Sequence, residues 1–134
     1  MQWNYVKVLQ NENAINEFEE MLSYKLNESY VDCIKQNNGG RPNNRVFYTE
    51  NGTERVIKTF LSLNKEDRET VWKIFDWNKE ILMDKYIPFA IDNFGNIICF
   101  YRYDDSIVFV EHETETVEKI ATDFEGFMSC LVAG

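Results

Sequence analysis

The sequence predicts an α+β fold, a mainly antiparallel sheet of about six strands with helices packed against it. Three observations carry that expectation. Residues 86–100, YIPFAIDNFGNIICF, are two apolar runs meeting at a polar turn of Asp92, Asn93, Gly95 and Asn96. Asn and Gly enter left-handed backbone cheaply, so this turn predicts a tight reversal and a central hairpin. Short strand-like segments separated by equally short polar turns fill residues 86–120, which implies sequential antiparallel neighbours. Before and after them, apolar residues recur at helical spacing.

Taken in order, a first helix is expected from Asn13 to about Lys25, with Ile15, Phe18 and Leu22 on one face and Glu17, Glu19 and Glu20 at its favourable N-terminal end. After a break at residues 26–28, a second runs from about Ser29 to Asn37 and stops at Asn38-Gly39-Gly40, with Pro42 beyond. Arg45–Thr49 and Glu54–Leu63 flank an Asn51-Gly52 turn and read as a hairpin. A third helix is expected from about Lys65, with Asn64 as its N-cap and Val71, Ile74 and Phe75 as its stripe, breaking near Asn78 and continuing towards Met83. Four strands follow, at about Pro88–Asp92, Asn96–Tyr101, Ile107–Glu111 and Val117–Ile120. In Ile107-Val108-Phe109-Val110 both faces are apolar, as in an interior strand covered on both sides. Thr122 and Glu125 have capping-box spacing, and Phe124, Phe127, Met128 and Leu131 form the apolar face of a closing helix.

A chain of 134 residues with 20 aromatic side chains suits one compact domain and is too apolar for disorder. No apolar run approaches the ~18 residues that cross a bilayer, and the first residues lack the regions of a signal peptide, so the cytoplasm is the expected compartment. Cys33, Cys99 and Cys130 lie in apolar-periodic segments without CxxC spacing, which favours buried, reduced thiols. The net charge of −9 argues against direct nucleic-acid binding and for a basic protein partner. From Asp92 onward nine acids face only Arg102 and Lys119, so the negative field concentrates in the last third of the chain.

Chemical motifs are sparse. The one histidine, His112, is separated from cysteines that all occupy expected core positions without a basic neighbour, which disfavours a nucleophilic pair. Neither HExxH, a Cys-His quartet nor a calcium loop is present, and no cofactor is expected. Asp92-Asn93 and Asp104-Asp105 read as turn-formers, and Gly39-Gly40 as a helix stop lacking the lysine of a phosphate loop. Nothing marks two of the acids as a facing glycosidase pair. Trp3, Trp72 and Trp77 read as core or rim.

Taken together, these segments resemble the SUKH superfamily, the Smi/Knr-like family that includes bacterial immunity proteins and yeast cell-wall regulators. The resemblance rests on Ile15-x-x-Phe18-Glu19 with Leu22; Asn38-Gly39-Gly40 before Pro42; Ile87-Pro88-Phe89-Ala90 leading to Asp92-x-x-Gly95-Asn96 and Cys99-Phe100; Ile107-Val108-Phe109 with His112-Glu113; and Ile120-Ala121-x-x-Phe124-x-x-Phe127. It spans almost the whole chain, with one departure: the family's Leu-Pro-x-x-Tyr step is here Leu26-Asn27-Glu28-Ser29-Tyr30. The resemblance implies a single domain over residues 1–134 and a non-enzymatic protein-binding module. In bacteria that module is most often an immunity protein neutralising a cognate toxin, frequently a nuclease; the alternative is a housekeeping scaffold or regulator. An acidic protein has a physical reason to cover the basic cleft of a nuclease. The expected contacts are Asp92, Asn93, Asn96, Asp104, Asp105, Glu111, Glu113 and Glu115, with Phe94, Tyr101 and Tyr103 as aromatic anchors.

Overall fold

The structure, a computed structural model, describes residues 1–134. Its helices are α1 (Asn13–Leu22), α2 (Glu28–Asn37), α3 (Val71–Trp77), α4 (Lys79–Leu82) and α5 (Phe124–Cys130). Its strands are β1 (Trp3–Asn4), β2 (Arg41–Pro42), β3 (Asn44–Tyr48), β4 (Glu54–Val56), β5 (Thr59–Phe60), β6 (Tyr86–Ile91), β7 (Ile97–Tyr101), β8 (Ile107–Glu111), β9 (Thr116–Ala121) and β10 (Val132–Ala133). The α+β class and the antiparallel pairing are those the sequence predicts. The main sheet has five strands in the order β5-β6-β7-β8-β9, the last four forming the meander, beside a three-stranded sheet β10-β3-β4 and the pair β1-β2.

Strand alternation divides the core between the two faces of the main sheet. Ile98 and Phe100 of β7 and Ile107 and Phe109 of β8 point to the larger core, where they meet Phe18 and Leu22 of α1, Tyr30 and Ile34 of α2, and Phe124 and Phe127 of α5. Ile97, Cys99, Val108 and Val110 point the other way and are covered by Leu82 of α4, with Ile74, Phe75 and Ile81 packed around them. Both faces of β8 are therefore buried, as its unbroken apolar run requires. Phe89, in the irregular stretch of β6 between Pro88 and Ala90, lies at the centre of the aromatic packing.

Local chemistry explains where several elements end. Helix α1 stops at Leu22, short of the expected Lys25, because Ser23 turns left-handed (φ 51°) and the N–H groups of Ser23 and Tyr24 close on the carbonyls of Glu20 and Glu19. Asn27 accepts from the Tyr30 N–H at 3.1 Å and caps α2. At φ −55°, ψ 134° it holds a backbone that a proline also adopts, so the missing proline is replaced by a side-chain cap. Arg102 donates to the carbonyls of Leu22 (2.7 Å), Ser23 (3.1 Å) and Asp84 (2.6 Å), tying the end of α1 to the meander.

Four further expectations need correction. The second arm of the Asn51-Gly52 hairpin does not run through to Leu63: it pairs with β3 only as β4, then crosses to the main sheet as β5, where Lys58 N–H reaches Ile91. The third helix starts at Val71 with Thr70 as N-cap, because Asn64 is engaged elsewhere: it donates to Val8 O (2.9 Å) and accepts from Gln10 N–H (2.9 Å), fastening the N-terminal segment. The cap of α5 is Asp123, accepting from Gly126 N–H at 2.7 Å, while Glu125 instead accepts from the Ser29 hydroxyl. Of the three cysteines only Cys99 is buried; Cys33 is half-buried and Cys130 exposed, since α5 ends there on the solvent side. Burial pushes the Cys33 thiol up to about 11 and the Cys99 thiol well above its ordinary value. Cys130 is expected to react first with a thiol reagent in the native protein, and Cys99 only after denaturant is added; prompt native labelling of Cys99 would contradict the two-faced core.

Candidate partner-binding surface

Antiparallel connectivity sorts the expected contact residues into two groups. Strands β6 and β8 run in the same direction, so their turns, residues 92–96 and 112–115, share one end of the sheet, while the β7–β8 turn, 102–106, lies at the other. With five residues per strand, the two ends stand roughly 15–20 Å apart. The residues therefore do not form one patch.

At the first end, Asp92 and Asn96 face inward. Asp92 Oδ1 accepts from the N–H groups of Phe94 (2.8 Å) and Asn96 (2.9 Å), and Oδ2 accepts from Asn96 Nδ2 (2.9 Å). Both side chains are buried, so what they offer is a rigid turn. Gly95 closes it at φ 85°, with the His112 ring lying where a Cβ would meet it at 3.2 Å. The two turns are locked together: His112 N–H donates to Asn96 Oδ1 (3.1 Å), and its Nε2 sits 3.1 Å from Phe94 O. On this frame Asn93, Phe94, Glu113 and Glu115 project outward, Phe94 being 76% exposed. Glu111 is occupied, paired with Arg55 at 3.3 Å, and the Arg55 guanidinium lies over the Phe109 ring.

At the opposite end the acids serve the turn. Asp104 accepts from Ser106 N–H at 2.9 Å; hydrogen bonds to Ser106 hold its carboxyl below the ordinary aspartate value, and Lys119 adds to the effect. Asp105 accepts from the Tyr24 hydroxyl, whose proton burial and that bond together hold firmly. Tyr101 is half-buried between Tyr86 and Tyr103, with ring centroids at 5.7 and 5.4 Å, and Tyr103 is exposed. Among the expected contact residues, the carboxylates that neither pair with a cation nor serve a turn, Glu113 and Glu115, are thus both at the first end.

The α3–α4 junction also reaches that end. Trp77, the last residue of α3, is 70% exposed and borders a cavity of about 390 Å3 shared with Glu80, His112 and Glu115. The sequence carried a signal for this: Trp77 falls off the Val71-Ile74-Phe75 stripe. A second concavity, about 870 Å3, runs between α1 and α2 and includes only Asp105 of the expected residues. Its acids are largely engaged, Glu12 with Lys35 (3.5 Å) and Glu19 with Leu26 N–H (2.8 Å), and no exposed aromatic borders it. No three His, Cys, Asp or Glu side chains converge on a metal position, and no helix is long and apolar enough to cross a membrane.

Fold and surface together define an α+β protein that presents aromatic and acidic side chains on rigid turns. The chain belongs to the SMI1 / KNR4 family (SUKH-1), whose profile matches residues 11–130. That membership is consistent with an immunity-like or regulatory module. No curated protein sequence matches the chain significantly.

Proposed function

We propose that this protein is a non-enzymatic, cytoplasmic immunity protein, one SUKH-like domain that binds and neutralises a basic protein toxin, in the first instance a nuclease. The observation that carries the reading is Phe94, 76% exposed beside the unpaired carboxylates of Glu113 and Glu115 on two interlocked turns. Exposed carboxylates steer a basic partner and a desolvated aromatic holds it, which is how a protein blocks a cleft built for a polyanion. Asn93 adds hydrogen-bonding capacity on the same turn. Asp92 and Asn96 contribute by fixing that turn.

The test is co-expression with the product of the neighbouring reading frame, followed by affinity measurement on the purified pair. Protection of the host and a direct complex are expected. The double reversal Glu113→Lys with Glu115→Lys should weaken binding about tenfold or more at low salt and less at high salt. Reversing Asp104 and Asp105, at the far end, should weaken it less. A complex with unchanged affinity and salt slope in the first double variant would remove this surface from the reading. A neighbour that is not toxic, or a toxin that is not neutralised, would favour a regulatory scaffold instead.

A further inference from the structure

The concavity beside Trp77 has a lining suited to a cationic side chain. Helix α3 is interrupted at Asn78 (φ −122°, ψ 23°), whose side chain donates to Ile74 O at 2.8 Å while its backbone carbonyl accepts from Leu82 N–H at 2.9 Å, so α4 begins as a separate helix. This break leaves the Trp77 indole standing in solvent next to the β8–β9 turn. Across the cavity the His112 wall is held on both sides, by Asn96 and by the Phe94 carbonyl. Of the carboxylates lining it, Asp76 is paired with Lys79 at 3.0 Å, whereas Glu80 and Glu115 have no ion pair.

An exposed indole and two carboxylates without ion pairs line one open concavity of about 390 Å3, in which Lys79 is held by Asp76, and this lining suits a long cationic side chain. Arginine matches it best. Its planar guanidinium stacks on an aromatic face and donates in a fork to carboxylates, while lysine offers only a compact, strongly hydrated charge. We infer that this cavity receives an arginine side chain of the basic partner, stacked on Trp77 and paired with Glu80 and Glu115. The inference rests on the protein-binding reading above and extends its surface from the β-turns onto the α3–α4 junction.

The test needs no toxin. The peptide acetyl-Gly-Arg-Gly-amide, and its lysine and citrulline counterparts, are titrated into the 15N-labelled full chain while the three tryptophan indole N–H signals are followed. The arginine peptide should shift the Trp77 indole and the His112 and Glu115 amides, binding about tenfold more tightly than the citrulline peptide and more tightly than the lysine peptide. Trp77→Ala should abolish the response and Glu80→Gln weaken it. Because both positions are exposed, the thermal midpoint should stay unchanged in each variant. Equal binding of the three peptides, shifts spread evenly over the acidic turns, a response that survives Trp77→Ala, or no response would each overturn the inference. A toxin complex sensitive to Glu113→Lys/Glu115→Lys but indifferent to Trp77→Ala would overturn it as well, leaving the immunity reading standing.

Discussion

Phe89→Ala should remove about 3–5 kcal/mol of stability, the cost of truncating a fully buried aromatic residue where neighbours cannot collapse into the space. Phe89 has no exposed surface, and its ring lies within 4.7–5.8 Å of those of Phe100, Phe60, Tyr30, Phe124 and Phe127. These partners come from β7, β5, α2 and α5, so one truncation opens the junction of the main sheet with two helices. Against a typical total of about 5–15 kcal/mol, such a loss is a large fraction and should lower the melting midpoint by roughly 10–20 °C. Phe94→Ala is the natural control, since that ring is mostly in water and its removal should leave stability nearly unchanged. Urea denaturation of both variants decides the matter. A loss below about 1 kcal/mol for Phe89→Ala would mean that the aromatic core is not packed as described.

Asp92→Ala should cost about 2–4 kcal/mol, because it removes three hydrogen bonds to one carboxylate and strands buried donors. The effect should also travel. Without Asp92, Asn96 loses the partner that orients its amide, and Asn96 Oδ1 is what holds the His112 N–H at 3.1 Å. Asp92→Asn keeps one oxygen acceptor but sets an NH2 against that of Asn96, so its cost should fall between parent and alanine. Amide hydrogen exchange gives the sharper readout. His112 should exchange faster in Asp92→Ala while the central amides of β7 keep their protection relative to global stability. Unaltered exchange at His112 would show that the two turns are not mechanically linked, and the rigid frame proposed for Phe94 and the cavity would lose its basis.

How much of this was legible in the chain depends on the range of the interaction concerned. The meander was readable because short apolar runs, short polar turns and Gly95 are local signals, and each pairs neighbours in sequence. The break at Asn78 and the stop after α2 were readable for the same reason. The sequence predicts the third helix too early because Asn64 has the chemistry of an N-cap, and only the folded chain shows that Val8 and Gln10 compete for that side chain. The Glu54–Leu63 arm likewise gives no local sign that it changes sheets at Ile57 and Lys58. Cys130 occupies an apolar-periodic segment, but its exposure depends on which side of α5 meets the core.

The surface was harder to read than the fold. Composition located the negative charge in the last third, and the turn residues were named as a group, yet a list of turns carries no information about which end of a sheet each one occupies. Pairing direction supplies it, placing Phe94, Glu113 and Glu115 together and Tyr103, Asp104 and Asp105 at the opposite end. By itself the sequence determined the α+β class, the hairpin of residues 86–100 and the acidic character, because these follow from local periodicity, turn chemistry and composition, while the order of its motifs carried the resemblance to the family. Tertiary structure alone decided which carboxylates remain free, that Asp92 and Asn96 turn inward, and that Trp77 stands beside His112. Each of those outcomes depends on contacts between residues distant in sequence, whose competition for the same donors and acceptors no local pattern encodes.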